Sequence, residues 1–560
     1  MIRTCVLAVL LAATHLPAAG AAELAHEPGR AAIASAHALA TKAGMTVLNQ
    51  GGNAFDAAVA VAATLSVVEP QSSGIGGGGL FLLHRASDNS DRMIDARETA
   101  PRATRPADFL DADGGLDQEK AWNGALAAAI PGEPAALVWI AKHYGKLPLK
   151  TSLAPAIRIA RKGFVPDARM LDDIEERLEV IKRYPASAAL FLQRGALPKP
   201  NWVHRNPDIA RTLTLIADKG HDGFYGGELA RTLVEGINAA GGNWTLQDLA
   251  DYQVKEREPL VFQYREWRIV TAPPPSSGGI ALKQMLNILA GYDLASLDRI
   301  HRVHLTVEAM RRAYRDRAEY LGDPDYITMP LEELGSPLYA AGLRASIHPE
   351  RATPSDLLPG YTKAKEREHT SHFSIIDAEG NRVSATQTIN LALGSALVIP
   401  GTGFVMNNEM DDFALKSGAP NAFGLVGADA NAPHPGRRPL SSMSPSFLIG
   451  PDRIAVIGSP GGSTIITQVL EAMLAFIDGQ LPAQIVANPR YHHQYLPDVI
   501  EMENDTFDAE EVQQLQAMGH SVIRRDKPWG FMNIVSWDRK SGQLHAGADK
   551  RRASGSAVVQ

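Results

Sequence analysis

A strand, a tight turn and a second strand can be read between Thr370 and Asn390, and no other stretch constrains the fold as much. His372-Phe373-Ser374-Ile375 and Arg382-Val383-Ser384-Ala385-Thr386 alternate polar and apolar residues, the period of a pleated strand. Glu379-Gly380-Asn381 supplies the turn between them. Thr370 and Thr388 each lie nine residues from Glu379, so a hairpin centred there sets them opposite each other. A threonine beside a second hydroxyl, with Asn390 close by, suits a nucleophile site. Threonine is also common in strands for its shape alone, and spacing by itself leaves both readings open.

The chain has 560 residues, 45% hydrophobic and 21% charged, the composition of a globular protein long enough for roughly three or four domains or one large compact unit. A net charge of −7 offers no electrostatic reason for a nucleic-acid partner. Met1-Ile2-Arg3, the apolar run Val6 to Leu16 and Ala19-Gly20-Ala21 read as an export signal over residues 1–21. That run is too short to span a bilayer, so a periplasmic or secreted protein without a stable membrane anchor is expected. Cys5 is the only cysteine and lies in the signal, which excludes disulfides, cysteine catalysis and cysteine–metal sites from the mature chain.

Ala31 to Leu48 reads as a helix ending at Gly51-Gly52, and Asn53 caps a second helix from Ala54 to Val68. Gly74 to Gly79 satisfies G-x-G-x-x-G, but a helix precedes it and a strand follows. A pyrophosphate site needs the reverse order, so close backbone packing is expected instead. Residues 120 to 345 are mostly helical in pattern. Ser355 to Glu368 is charged and weakly periodic, and reads as an exposed, mobile segment. Beyond it, hairpins are expected around Gly450-Pro451-Asp452 and Lys540-Ser541-Gly542. Ser463 to Asp478 forms an amphipathic helix between them. Strands and helices segregated in this way suggest an α+β protein of stacked sheets covered by helices.

Several motifs recur in one order. Thr370-Ser371-His372-Phe373-Ser374 and Ser384 to Asn390 are joined by Arg97-Glu98-Thr99-Ala100-Pro101 and Asn407-Asn408-Glu409-Met410-Asp411-Asp412-Phe413. Arg438 to Pro445, Ser459-Pro460-Gly461-Gly462-Ser463 and Pro489 to Gln494 complete the set. From about residue 25 to about residue 550 the chain resembles the gamma-glutamyltranspeptidases, N-terminal-nucleophile hydrolases that cut their own chain before a threonine. The resemblance implies a four-layer αββα sandwich. It implies cleavage between His369 and Thr370 into a helix-rich large subunit, 22–369, and a strand-rich small subunit, 370–560. It implies glutathione and related γ-glutamyl compounds as substrates, amino acids or peptides as acceptors, and no cofactor.

A threonine hydroxyl is a weak nucleophile until a base takes its proton. A cut before Thr370 would free an α-amine whose ordinary pKa of roughly 7.7–8 suits that role. By resemblance Thr388 orients the Thr370 hydroxyl, and Gly461 and Gly462 form the oxyanion hole. Two glycines at a helix start can bring backbone N–H groups close to negative charge. A glutamyl group carries an α-carboxylate and an α-ammonium, so its site needs a cation and an anion held apart. The resemblance assigns the carboxylate to Arg97, Ser441 and Ser442, and the ammonium to Asn390, Glu409 and Asp412. It makes Lys416 to Arg438 a lid, in which Phe423 stands where some members have tyrosine; Glu409 stands where some have glutamine.

No catalytic metal is expected. His492 and His493 would point to opposite faces of a strand, and His301 and His304 fit an ordinary helix. Asp111-Ala112-Asp113-Gly114 reads as a turn because the spacing to a terminal glutamate fails. Two rival functions stand beside the transpeptidase: a family amidase that removes glutaryl groups, and an exported binding protein that has lost catalysis.

Overall fold

The computed structural model describes residues 27–358 and 369–560. The expected export signal and residues 359–368 of the segment before Thr370 lie outside them. The strands of the first half are β1 (Ala32–Ser35), β2 (Gly78–Arg85), β3 (Ser90–Ala96), β4 (Lys255–Arg257), β5 (Leu260–Tyr264) and β6 (Trp267–Thr271). Then come β7 (Ser371–Ile376), β8 (Arg382–Thr388), β9 (Ser446–Ile449), β10 (Arg453–Gly458) and β11 (Tyr491–His492). The last are β12 (Ile500–Met502), β13 (Val522–Arg524), β14 (Asn533–Asp538), β15 (Leu544–Ala548) and β16 (Ser556–Val559).

Two antiparallel sheets carry the fold, with strand orders β16-β1-β7-β8-β2-β3-β4 and β15-β14-β10-β9-β6-β5. A small third sheet joins β11, β12 and β13. Side-chain alternation explains why the large sheets stack. On the first sheet, Ile33, Phe81, Leu83, Ile94, Phe373 and Val383 pack with the helix Ala54–Val68 and its neighbours. Ala32, Ala34, Leu80, Leu82 and Met93 point the other way, into a core shared with Ile269, Val456 and Ile534 of the second sheet. The helices Gly278–Leu289, Arg299–Tyr320 and Ile465–Ile477 close that second core from outside. The order is therefore helix, sheet, sheet, helix: an α+β four-layer sandwich.

Asn53 caps its helix as expected. Its Oδ1 accepts from Phe55 N and Asp56 N, and Asp56 returns the bond to Asn53 N, each at 3.0 Å. The stretch read as one helix from Ala31 divides: Ala32–Ser35 is strand β1 and the helix is Ala38–Asn49. β1 pairs with β16 on one side and β7 on the other, and two sets of ladder bonds outweigh alanine's local preference for helix. The region read as mostly helical contains the β5–β6 hairpin, which extends the second sheet. Of the segment read as exposed, Ser355 is buried, with Asp498 accepting from its backbone N at 2.7 Å and Arg311 donating to its hydroxyl, while Asp356 and Leu357 are exposed as expected. The glycine run at 74–79 packs tightly where it enters β2; a Cβ on Gly77 would lie 2.0 Å from the Thr388 carbonyl oxygen. Among the described residues no helix is long and apolar enough to cross a membrane.

Candidate active site

The β7–β8 register pairs Ser371 with Gln387 and His372 with Thr386, so Thr370 falls opposite Thr388 at the open end of the hairpin. Both threonines are buried, and their hydroxyl oxygens lie 3.3 Å apart. The Thr370 hydroxyl donates to the His369 carbonyl oxygen at 2.5 Å, and the Thr388 hydroxyl reaches the same oxygen at 3.3 Å. Asn390, held at φ +75°, donates its backbone N–H to Thr388 Oγ1 at 2.8 Å and its side-chain amide to the Asn408 carbonyl at 2.9 Å. The polar face of the hairpin turns inward. His372 bonds Thr386 and Ser374, and Ser384 donates to the Ile457 carbonyl of the second sheet. Burial pushes the His372 imidazole down to about 3, which keeps it neutral.

Thr370 and Thr388 line one cavity with Arg97, Asp412, Phe423 and Gly462. Asn390, Glu409, Ser441 and Ser442 complete its polar wall. Gly461 and Gly462 carry φ of +136° and +55° at the step from β10 into the helix Ile465–Ile477. A Cβ on Gly462 would stand 2.3 Å from the Phe423 ring, so this aromatic packs directly over the turn. The Phe423 carbonyl accepts from Gln494 at 3.2 Å, and Asn421 holds the segment by accepting from Phe423 N and Leu425 N.

The charges meet instead of standing apart. Arg97 donates to Glu409, to Asp412 at 2.5 Å and to Glu98 at 3.2 Å. A buried guanidinium without a counter-charge is costly, and three carboxyls supply more than one. Burial works against the Arg97 charge, but Glu409, Glu98 and Asp412 outweigh it and hold the proton more firmly than usual. Burial also raises the acids: Glu98 to about 7, Glu409 well above the carboxylate range, and Asp412 upward. Asp411 rises to about 7 by burial and binds Trp122 Nε1 and Ala422 N, not the cavity.

Sequence reasoning missed Arg317. It lies buried on the helix Arg299–Tyr320, donating to Ser277 Oγ at 3.0 Å and Ser442 Oγ at 3.4 Å. Its arginine-rich surroundings hid it, since Arg311, Arg312, Arg315 and Arg317 give no pattern that marks one of them. His492 and His493 do face different partners, Thr467 and Asp498. His304, Glu308 and His520 bring possible metal-ligand atoms within 4.8 Å of one another. Glu308, however, already accepts from Arg311, Arg312 and Thr353 N. A cation there would have to displace two guanidinium groups.

The family model for gamma-glutamyltranspeptidase matches residues 40–559. The chain belongs to the gamma-glutamyltranspeptidase family of enzymes. It is 38% identical to a glutathione hydrolase proenzyme of Escherichia coli strain K12, covering 93% of this chain and 90% of that protein. It is 36% identical to the acylase ACY 1 proenzyme of a Pseudomonas species, strain SE83, covering 95% and 93%. The crystal structure of a cephalosporin acylase from Bacillus halodurans superposes with a TM-score of 0.83 at 28% identity, covering 98% and 99% of the two chains. The chain is thus similar both to a protein named a hydrolase and to one named an acylase, so similarity leaves the acyl group to be argued from the cavity.

Proposed function

We propose that the chain is an exported, self-processing enzyme that removes the γ-glutamyl group from glutathione and related amides. The group would pass through a threonyl ester to water, an amino acid or a peptide. One observation carries this reading: the Thr370 hydroxyl lies 2.5 Å from the carbonyl oxygen of the preceding residue, with a second threonine at 3.3 Å from both.

Two acyl transfers use the same atoms. In the first, Thr370 Oγ attacks the His369 carbonyl carbon, the C–N bond breaks, and the hydroxyl proton ends on the freed nitrogen. Water then splits the ester into a carboxylate at His369 and a free hydroxyl at Thr370. In the second, the new α-amine takes the hydroxyl proton and Oγ attacks the γ-carbonyl of the substrate. The N–H groups at Gly461 and Gly462 would receive the oxyanion, and the leaving amine regains the proton. Arg97, with Ser441 and Ser442, would bind the α-carboxylate by displacing Asp412 and Glu409 from its two guanidinium nitrogens. The released Asp412 and Glu409, with Asn390, would then face the α-ammonium.

Full-length protein should separate on a denaturing gel into fragments of about 350 and about 190 residues once the signal is removed. The smaller should begin Thr-Ser-His-Phe. Thr370→Ala should stay one chain and release no product from a γ-glutamyl anilide. An uncut but fully active Thr370→Ala would sink the mechanism. Glutaryl transfer is a second reading, favoured by the close superposition on an acylase.

A further inference from the structure

The two residues that flank Thr370 are both tied to one cluster of charge, buried except for the half-buried Arg169. On one side, Arg169 Nη2 donates to His369 Nδ1 at 3.2 Å. On the other, the Ser371 hydroxyl donates to Glu69 at 2.7 Å, and Glu69 is paired with Arg552. The two halves meet at Phe531, whose ring centroid lies 4.5 Å from the Arg169 guanidinium carbon and 4.3 Å from that of Arg552. Arg169 stands on the helix Ala168–Glu176, and Asp173, one turn on, lies 3.7 Å from its Nε. Asp173 is also 3.9 Å from His369 Nδ1. None of these groups lines the cavity that holds Arg97 and Asp412.

We propose that Arg169 is a positioning residue for self-cleavage: it holds the His369 side chain and so seats the His369 carbonyl against the Thr370 hydroxyl. The inference rests on the reading that the cut falls between His369 and Thr370. Thr388 fixes the attacking oxygen, but the attacked carbonyl belongs to His369, and its direction follows from what holds that residue. The Arg169 guanidinium can only donate, so in this contact His369 Nδ1 accepts. Asp173 keeps the guanidinium from swinging away, and Phe531 gives it a flat surface to rest on. Displacing reacting atoms by an ångström costs about 10²-fold in rate, so a grip on the residue before the cut has leverage on the reaction. Bond making and breaking stay as set out above: Arg169 exchanges no proton and forms no bond.

The test follows cutting of the full chain after cell-free synthesis, read on a denaturing gel with N-terminal sequencing of the small fragment. Arg169→Met and His369→Leu should each slow cutting by on the order of 10-fold or more. The double variant should be no slower than the slower single, because both remove one contact. His369→Gln, which restores an acceptor, and Arg169→Lys, which restores a donor, should recover most of the rate. A purely structural role would not distinguish glutamine from leucine at 369. The inference is overturned if Arg169→Met cuts at the wild-type rate, if His369→Gln is as slow as His369→Leu, or if the single effects multiply. Should Arg169→Met fail to fold, the two His369 variants decide alone, since they leave the helix untouched. A wild-type chain that is not cut before Thr370 overturns the underlying reading instead, and this inference with it.

Discussion

Arg97 is surrounded by more carboxylate than it can neutralise. Glu98, Glu409 and Asp412 all reach it, and burial pushes the pKa of each acid upward, which favours their neutral forms. A glutamyl group brings one carboxylate and one ammonium, so it can trade partners in this cluster without leaving a bare charge. A glutaryl group brings only the carboxylate. Removing one member of a buried charge pair typically costs about 2–5 kcal/mol. Asp412→Ala should therefore lower kcat/KM for a γ-glutamyl anilide far more than for the matching glutaryl anilide. Arg97→Ala should lower both. Should wild type prefer the glutaryl compound and Asp412→Ala change neither rate, the acylase reading replaces the transpeptidase one. The residues that line this cavity could be named from motifs along the sequence, but their pairing could not. Arg97 and Asp412 are 315 positions apart, and only packing brings them to 2.5 Å.

At the scale of elements, the hairpin was legible because its alternation, turn and register are local. β7 and β8 pair in the expected register, with Ser374 opposite Ser384. The Asn53 cap was legible for the same reason. Asn53→Ala should cost about 0.5–2 kcal/mol, measured by denaturant unfolding, because two N–H groups at the helix start lose their acceptor. The β1 strand was not legible, since both its neighbours in the sheet come from distant sequence; the β5–β6 hairpin is local, but its turn, Arg265-Glu266, holds no glycine or asparagine to mark it. The turn from β10 into its helix permits a test of geometry against bulk. Gly462→Ala should lower kcat by on the order of 10²-fold, through the Phe423 clash and through rotated N–H donors. Adding Phe423→Ala removes the clash only, so kcat should stay low. Full recovery in the double variant would assign the loss to the Phe423 clash alone.

Across the whole molecule, the two expected fragments interlock. β1 of the large fragment lies between β16 and β7 of the small one, and β8 pairs in turn with β2. After the cut the fragments should co-elute on size exclusion under native conditions and separate only in denaturant. Fragments that part without denaturant would contradict this topology. Stability should carry a pH signature from Glu133, buried beneath Ser66, which donates to it at 3.0 Å. Burial raises its carboxyl to about 8. The folded state then binds a proton that the unfolded state has released. Its contribution is complete below the ordinary glutamate pKa and is lost as pH rises towards 8, with a slope of at most about 1.4 kcal/mol per unit. Glu133→Gln should flatten the decline in stability between those limits, measured as unfolding free energy against pH. An unchanged slope would mean that Glu133 is ionised in the folded protein.

The sequence alone determined what depends on neighbours along the chain: the hairpin, the capped helix, the glycine turn, and an order of motifs specific enough to place the chain in its family. It also placed Thr370 opposite Thr388, because an antiparallel pair has only one register once its turn is set. The tertiary structure decided what depends on burial. The polar face of β7 and β8, which alternation alone could equally have sent to water, is sealed against the second sheet, where His372, Ser374 and Ser384 find partners. It collapsed Arg97 onto acids expected to stand apart from it, because a buried charge binds whatever counter-charge packing supplies. It brought Arg317 to Ser442 and Arg169 to His369, contacts that no spacing along the chain encodes.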